Sequence, residues 1–460
     1  MIMAVAQVIS ITDPFEEFRK LAHEAVDNWI ENLRDFFERG KLPTVAEISE
    51  RFNETKHTFF GQCFEGLLES LAADFLRQEY ASCPGCGRLV RRKRIDKRKV
   101  STIPGDFSLA RPYFHCRDCG RGFHTLDEQL EIVQELHQLD IQEKIAKLAA
   151  DLPYERAVHH FTSLTGIEVS SHFGHETLNA IGKTATMDVV IPDREEISRR
   201  IEELSEGSLR TVMVLAADGA HMPTRPVGGR AEKRGPGQYK EAKGFRLYLL
   251  GPDERIIHIV SWHQIKDVSE FEEDIALIAS RIPQDKVKIC LLGDGASWIW
   301  NLYKKYFPDG IEILDYYHCS EHVFETAFCQ YGDTLDAREW AESVLIRLGL
   351  DMTSSVIAGL KRMKPANGDA EKAISRLITY LGKNKHRFGY NEHKKQGCPI
   401  GSGGIESSNK FICHTRIKRS GAWWLKENCN AMLRVRCAIY NGTFKQVLEN
   451  YKASKFNKSN

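Results

Sequence analysis

From Leu209 onward the hydrophobic pattern changes to short apolar runs, and two of these runs end in an aspartate. Asp218 follows Val212-Met213-Val214-Leu215, and Asp294 follows the run from Val287 to Leu292. Apolar runs of this length bounded by glycine read as buried strands, so each carboxylate is expected at a strand end, held by a rigid scaffold. A third acid, Glu406 in PIGSGGIESSNKF, sits where a glycine-rich turn becomes a helix. A lone Asp-Gly is usually a turn. Two carboxylates from strands and a third from a helix, however, form the oxygen donor set that two Mg²⁺ ions require when they clamp both oxygens of a phosphodiester displacement. Without a cation such a cluster repels itself and its pKa values rise.

The surrounding elements give these acids a common frame. Strand-like RTVMVLAAD, GFRLYLLG and RIIHIVSWH precede helical SEFEEDIALIASR, strand KVKICLLGD, helical WIWNLYKKYF and strand IEILDYYH. Three strands followed by alternating helix and strand match an α/β RNase H-like core, antiparallel first and parallel after. Asp218 then belongs to the central strand, with Asp294 on its neighbour. The polar stretch GGRAEKRGPGQYKEAKG between the first two strands reads as a long basic loop able to reach phosphates, with Lys240 and Lys243 as candidate contacts. His318-Cys-Ser-Glu321-His322 matches the H-x-x-E-H pattern of inverted zinc metalloproteases. Because His318 directly follows ILDYY, which reads as a strand end, it is expected outside a helix. A role beside a scissile phosphate, with Asp315 fixing the imidazole, fits better.

A chain of 460 residues with 42% hydrophobic content exceeds one ordinary core. Its 64 Lys+Arg against 63 Asp+Glu leave almost no net charge, which neither supports nor excludes a nucleic-acid partner. Basic clusters nevertheless stand out at Arg88 to Lys99, Arg225 to Arg246 and Arg416 to Arg419. No apolar run reaches membrane-spanning length and no secretory signal pattern opens the chain, so a cytoplasmic protein with no membrane partner is expected. In that compartment the twelve cysteines are weighed as metal ligands rather than disulfides.

Four of them qualify. Cys83-Pro-Gly-Cys86 and Cys116-Arg-Asp-Cys119, each followed by glycine and joined by a hairpin-forming basic segment, are expected to hold one structural Zn²⁺ as a zinc ribbon over 81–126. Arg91, Arg92, Lys93 and Arg94 in that segment are candidate DNA contacts. Residues 1–80 read as a helical leader, through FEEFRKLAHEAVDNWIENLRDFF and FEGLLESLAADFLRQEY. Asp127 to Asp151 also reads as helix. Helix, Gly166 and a new helix from Ser171 within 127–185 form a helix-turn-helix signature, whose second helix would present His172, His175 and Asn179 to a major groove. An ordinary helical hairpin has the same glycine and cap. The charged DREEISRRIEELSEGS is taken as a linker to the core, whose first part covers 209–322. A helical insertion at 323–395 precedes the core's last part at 396–450. There Lys410, Arg416, Lys418, Arg419 and Trp423 interleave cations with indoles, suiting phosphate contact and base stacking.

Taken together, CPGCG with CRDCGRGFHTLDEQL, LLGDGASWIWNLYKKYFPD, ILDYYHCSEH, GCPIGSGGIESSNK and RIKRSGAWW resemble the DDE transposases of ISKra-type bacterial insertion sequences, related to the Mutator-like superfamily. The resemblance covers most of the chain. It implies a catalytic triad of Asp218, Asp294 and Glu406, two catalytic Mg²⁺ with Mn²⁺ as substitute, an all-helical insertion before Glu406, and a D-x-x-H element at Asp315 and His318. It also implies binding of terminal inverted repeats, strand cleavage and transfer into target DNA, and a homodimer or larger assembly at the bacterial nucleoid. A catalytically silent DNA-binding regulator and a structure-specific nuclease are the rival expectations.

Overall fold

The computed structural model describes residues 13–37, 42–204, 211–226, 236–251 and 255–457. They form two compact units, Met1–Leu178 with Leu448–Asn460, and Asn179–Val447.

The first unit opens with helices Pro14–Phe37 and Val45–Leu71, which pack through Trp29 stacked on Phe59 at 4.8 Å. The second helix starts well before the stretch expected from the sequence. Its start is set by Thr44 and Glu47, whose side chains bond each other's backbone N–H in a capping box. A four-stranded antiparallel sheet follows, in the order β1 (Tyr80–Ser82), β2 (Leu89–Ser101), β3 (Asp106–His115) and β4 (Gly122–Phe123). Val100, Phe107, Leu109 and Leu126 form its core, with Phe64 and Leu68 of the long helix packed against them. The helix expected from Asp127 to Asp151 is instead two, Thr125–Gln129 and Leu139–Asp151. Helix Tyr154–Thr165 ends at Gly166 in the left-handed conformation, and helix Ser171–Thr184 follows.

The second unit is built on a five-stranded mixed sheet in the order β7-β6-β5-β8-β9, with β5 (Thr211–Thr224), β6 (Gln238–Leu250), β7 (Ile256–Gln264), β8 (Val287–Gly293) and β9 (Ile311–Leu314). β5, β6 and β7 are antiparallel, whereas β8 and β9 run parallel to β5. The charged run expected to be a linker is helix Arg194–Leu204, which buries Ile197 and Ile201. Two charged faces and one apolar stripe make that sequence look like a tether, yet the stripe suffices to dock it. Between β9 and helix Gly403–Ser408 every described α-helix or strand is helical, from Tyr316–Tyr331 to Tyr390–Lys395. Among the described residues no helix is long and apolar enough to cross a membrane.

Asp218 is not at the end of its strand. β5 runs six residues further, paired with β6 as far as Thr224↔Gln238, so much of the stretch expected as a loop is a long hairpin arm. Residues 228–235 of the expected loop lie outside the described residues. What ends near Asp218 is the parallel pairing, because β8 accompanies β5 only from Thr211↔Val287 to Ala216↔Leu292. At that divergence the hydroxyl of the buried Tyr303 lies 3.0 Å from the carbonyls of both Leu215 and Leu292, so its single proton is shared between the two strands where they part.

Candidate functional site

Asp218 and Asp294 flank the point where β5 and β8 part. Both are partly buried. Asp294 Oδ1 accepts from the Ala296 N–H at 2.8 Å, and its carbonyl accepts from the Tyr380 hydroxyl at 3.1 Å, so a helix of the helical segment clamps the loop that carries it. Asp218 accepts at both oxygens, from the Gly219 N–H at 2.7 Å and from the Asn409 side-chain amide at 2.6 Å. Burial holds the Asp218 carboxyl up at about 6. The Asp294 charge pushes the same way, while the Gly219 N–H, His318 and the Asn409 amide pull against it. The two aspartates and His318 therefore share one electrostatic field.

Glu406 comes from a separate element. It is exposed in the helix Gly403–Ser408, bonded to the Ser402 hydroxyl. The three acids are not among the described groups whose ligand atoms all lie within 4.8 Å of one another. The helix itself is anchored, since Arg246 donates to the Gly404 carbonyl at 2.7 Å. Asp315 serves that anchoring rather than the His318 ring. Its buried carboxylate accepts from the backbone N–H groups of Tyr317 and His318 at 3.2 Å and of Ser402 at 3.0 Å, capping one helix and tying it to the turn before Glu406. His318 lies inside helix Tyr316–Tyr331, contrary to the expectation from ILDYY, because β9 ends at Leu314 and Asp315 starts the helix. H-x-x-E-H is thus helical here, but its side chains form no ligand cluster. The His318 and His322 rings meet edge to face at 4.9 Å, and His322 packs on Tyr380 at 4.4 Å.

The four predicted thiols do converge. Cys83 and Cys119 approach to 3.5 Å between sulfurs, as do Cys86 and Cys116, and all four sulfurs lie within 4.8 Å of one another. Tetrahedral Zn²⁺ with bonds of about 2.3 Å separates its sulfurs by about 3.8 Å, so the cluster fits zinc. Each knuckle links two strands, β1 to β2 and β3 to β4, and turns at a glycine with positive φ, 73° at Gly87 and 71° at Gly120. Burial opposes ionisation of Cys83, yet the Gly85 and Cys86 N–H groups and the neighbouring thiols bring it down to about 7. Undenatured protein is expected to contain about one zinc per chain, and Cys116→Ser to lose it. Metal analysis that finds no zinc in the wild type contradicts this assignment.

The predicted DNA contacts separate into two classes. Arg91, Lys93, His172, Lys240, Lys410 and Lys418 are exposed, and Trp423 is 42% exposed with its ring 5.7 Å from Tyr239. The others are engaged within the chain. Arg92 donates to the Leu76 carbonyl at 2.6 Å, and Arg94 pairs with Asp96 and covers the Tyr113 ring. Lys243, 6% exposed, pairs with Glu241. Arg416, 4% exposed, lies over the buried Trp424, and Arg419 donates to the Thr415 carbonyl. His175 contacts Glu176 and the Tyr154 ring, and Asn179 is buried, so Asn179 presents nothing to a groove. His172, His175 and Glu176 have ligand atoms within 4.8 Å of one another, although only His175 is partly buried.

Asn409 and its partner His263 escaped the sequence reading. Asn409 follows Glu406 by three positions, close to one helical turn, within a π-helical stretch Asn409–His414 of the kind that often marks functional sites. That E-x-x-N spacing was the available signal.

The family whose model matches residues 44–453 is described as an uncharacterised protein family, UPF0236. Similar proteins come from Caldanaerobacter subterraneus subsp. tengcongensis. One UPF0236 protein, whose name joins four gene labels, is 26% identical over 374 residues, covering 76% of this chain and 69% of its own length. A second is 26% identical over 374 residues, covering 76% and 65%. A third, whose name joins eleven gene labels, is 25% identical over 372 residues, covering 76% and 69%. Among solved structures, the Drosophila P element transposase strand transfer complex is similar at 11% identity over 68% of this chain and 80% of that chain, with a TM-score of 0.25. That score is too low to carry any inference about this chain.

Proposed function

The chain belongs to the uncharacterised protein family UPF0236, and we propose that it is a DNA transposase of the DDE type, a phosphoryl transferase that cleaves DNA ends and joins them to a target. The observation that carries this reading is the pair Asp218 and Asp294 at the divergence of two parallel strands, where burial, helped by the Asp294 charge, holds the Asp218 carboxyl up at about 6. The sheet order with its three antiparallel and two parallel strands supports an RNase H-like core. The eleven gene labels joined in one relative's name suit a gene that multiplies within a genome.

Hard carboxylate oxygens suit divalent magnesium, and Asp218, Asp294 and Glu406 are the residues that would hold it. When bound, Mg²⁺ stabilises the attacking and leaving oxygens of an in-line displacement. The protein's own groups do the rest. Asp315 and Arg246 fix the turn and helix that present Glu406, and Tyr380 holds the Asp294 loop. His318, within the field of Asp218, donates a hydrogen bond to the scissile phosphate. Water attacks at the element end and breaks the P–O3′ bond, leaving a 3′-OH. That hydroxyl then attacks a target phosphate and displaces the target's own 3′ oxygen. Lys240, Lys410 and Lys418 contact phosphates while Trp423 stacks on an unpaired base. The zinc ribbon, with Arg91 and Lys93, and the helix-turn-helix hold the terminal repeats. Both ends have to meet, so a dimer or larger assembly acts.

The test incubates the full-length protein and Mg²⁺ with DNA carrying the repeats that flank its gene. Joined product is expected. Cleavage without joining supports a nuclease instead, and binding without either supports a silent regulator.

A further inference from the structure

Asp218, Gly244 and His263 lie abreast on one rung of the sheet. The register pairs Asp218 of β5 with Gly244 of β6, and Gly244 with His263 of β7. Directly opposed residues of antiparallel strands project from the same face. Asp218 and His263 therefore share a face, separated by a position that has no side chain. A Cβ on Gly244 would lie 2.2 Å from His263 Cδ2, so only glycine leaves the His263 ring its place. The space between them is bridged by Asn409, 5% exposed, which donates to Asp218 at 2.6 Å and lies 2.8 Å from His263 Nε2.

The direction of both bonds follows from chemistry. An ionised carboxylate only accepts, so the Asn409 amide nitrogen faces Asp218 and its carbonyl oxygen faces His263, whose Nε2 must carry the proton. His263 is fully buried, and burial keeps it neutral by lowering its pKa to about 4, so this donor persists at working pH. Its Nδ1 has no hydrogen-bond partner among the described residues, an arrangement that packing alone does not require.

We propose that His263 and Asn409 are positioning residues that orient the Asp218 carboxylate, and that Gly244 is the gap that lets them reach it. The proposal rests on the reading of Asp218 as a metal-holding residue of a strand-transfer centre. Hydrogen-bond partners of ligating carboxylates set their orientation and basicity, and losing one lowers metal affinity or activity by about 10–100-fold.

The test uses full-length Asn409→Leu, His263→Leu, His263→Gln, Gly244→Ala and Asp218→Asn, with strand transfer and Mn²⁺ binding by EPR as readouts and thermal unfolding as the check on folding. Asn409→Leu, His263→Leu and Gly244→Ala are expected to lower kcat and weaken Mn²⁺ binding by about 10–100-fold, with KM for DNA unchanged. His263→Gln, whose amide still donates to Asn409, is expected to retain most of both. Should Asn409→Leu not fold, the contrast between His263→Gln and His263→Leu decides. Wild-type kcat and Mn²⁺ affinity in Asn409→Leu, or equal impairment by Gln and Leu at position 263, overturns the proposal. If Asp218→Asn is inactive while Asn409→Leu is unimpaired, the relay alone fails. If Asp218→Asn is fully active, the centre was misassigned and the relay falls with it.

Discussion

Asp294→Asn is expected to abolish cleavage and joining of terminal-repeat DNA while leaving the fold intact. In the proposed metal-holding pair, losing one carboxylate removes several kcal/mol of transition-state stabilisation, roughly a thousand-fold in rate at 1.4 kcal/mol per decade. The amide keeps an oxygen for the Ala296 N–H, and the Tyr380 bond goes to the backbone carbonyl, so the loop has no reason to move. Asp218→Asn is expected to lose activity likewise, although its amide keeps one oxygen for two donors, the Gly219 N–H and the Asn409 amide. Single-turnover cleavage measures the effect, and a rate within tenfold of wild type contradicts it.

Asp218→Asn is also expected to stabilise the metal-free protein, by about 1–2 kcal/mol above pH 7. A carboxyl raised from 3.8 to about 6 binds its proton more tightly folded than unfolded. The folded state is therefore unpenalised below pH 3.8, loses stability as pH rises through the window up to about 6, and carries the full penalty above it. A shift of this size corresponds to about 3 kcal/mol at most, discounted here because the group is only partly buried. Urea unfolding should show the gain at pH 8 and little at pH 4. Mg²⁺ should restore stability to the wild type and not to the variant. A stability difference between variant and wild type that is the same at pH 8 and pH 4 shows that burial does not hold the Asp218 carboxyl up.

Much of this arrangement was legible in the sequence because the core strands are apolar runs with clear ends, and because two thiol pairs at a fixed spacing leave few alternatives. The remainder depended on pairings that a local reading does not contain. Gln238 and Lys240 looked like loop because their segment is polar and glycine-rich, yet they pair with β5 beyond the point where β8 leaves it. Asp315 looked like a catalytic aide, although an acid followed by two free N–H groups is the ordinary signature of a helix start, and this displaced His318 from strand end to helix. Arg416 and Lys243 looked like DNA contacts by charge alone, yet both are buried beside aromatic rings or an acid. Asn409 reaches a partner 191 positions away, and nothing short of the register of three strands brings His263 to it.

Glu406 is the member of the proposed triad that is exposed and bonded to Ser402, so it tests the account most directly. The measurement is joined product formed from terminal-repeat DNA and target DNA with Mg²⁺, by the wild type and by Glu406→Gln side by side. The account predicts joining by the wild type and none by the variant, with DNA binding retained. Joining by Glu406→Gln at the wild-type level, or its absence from both, contradicts it.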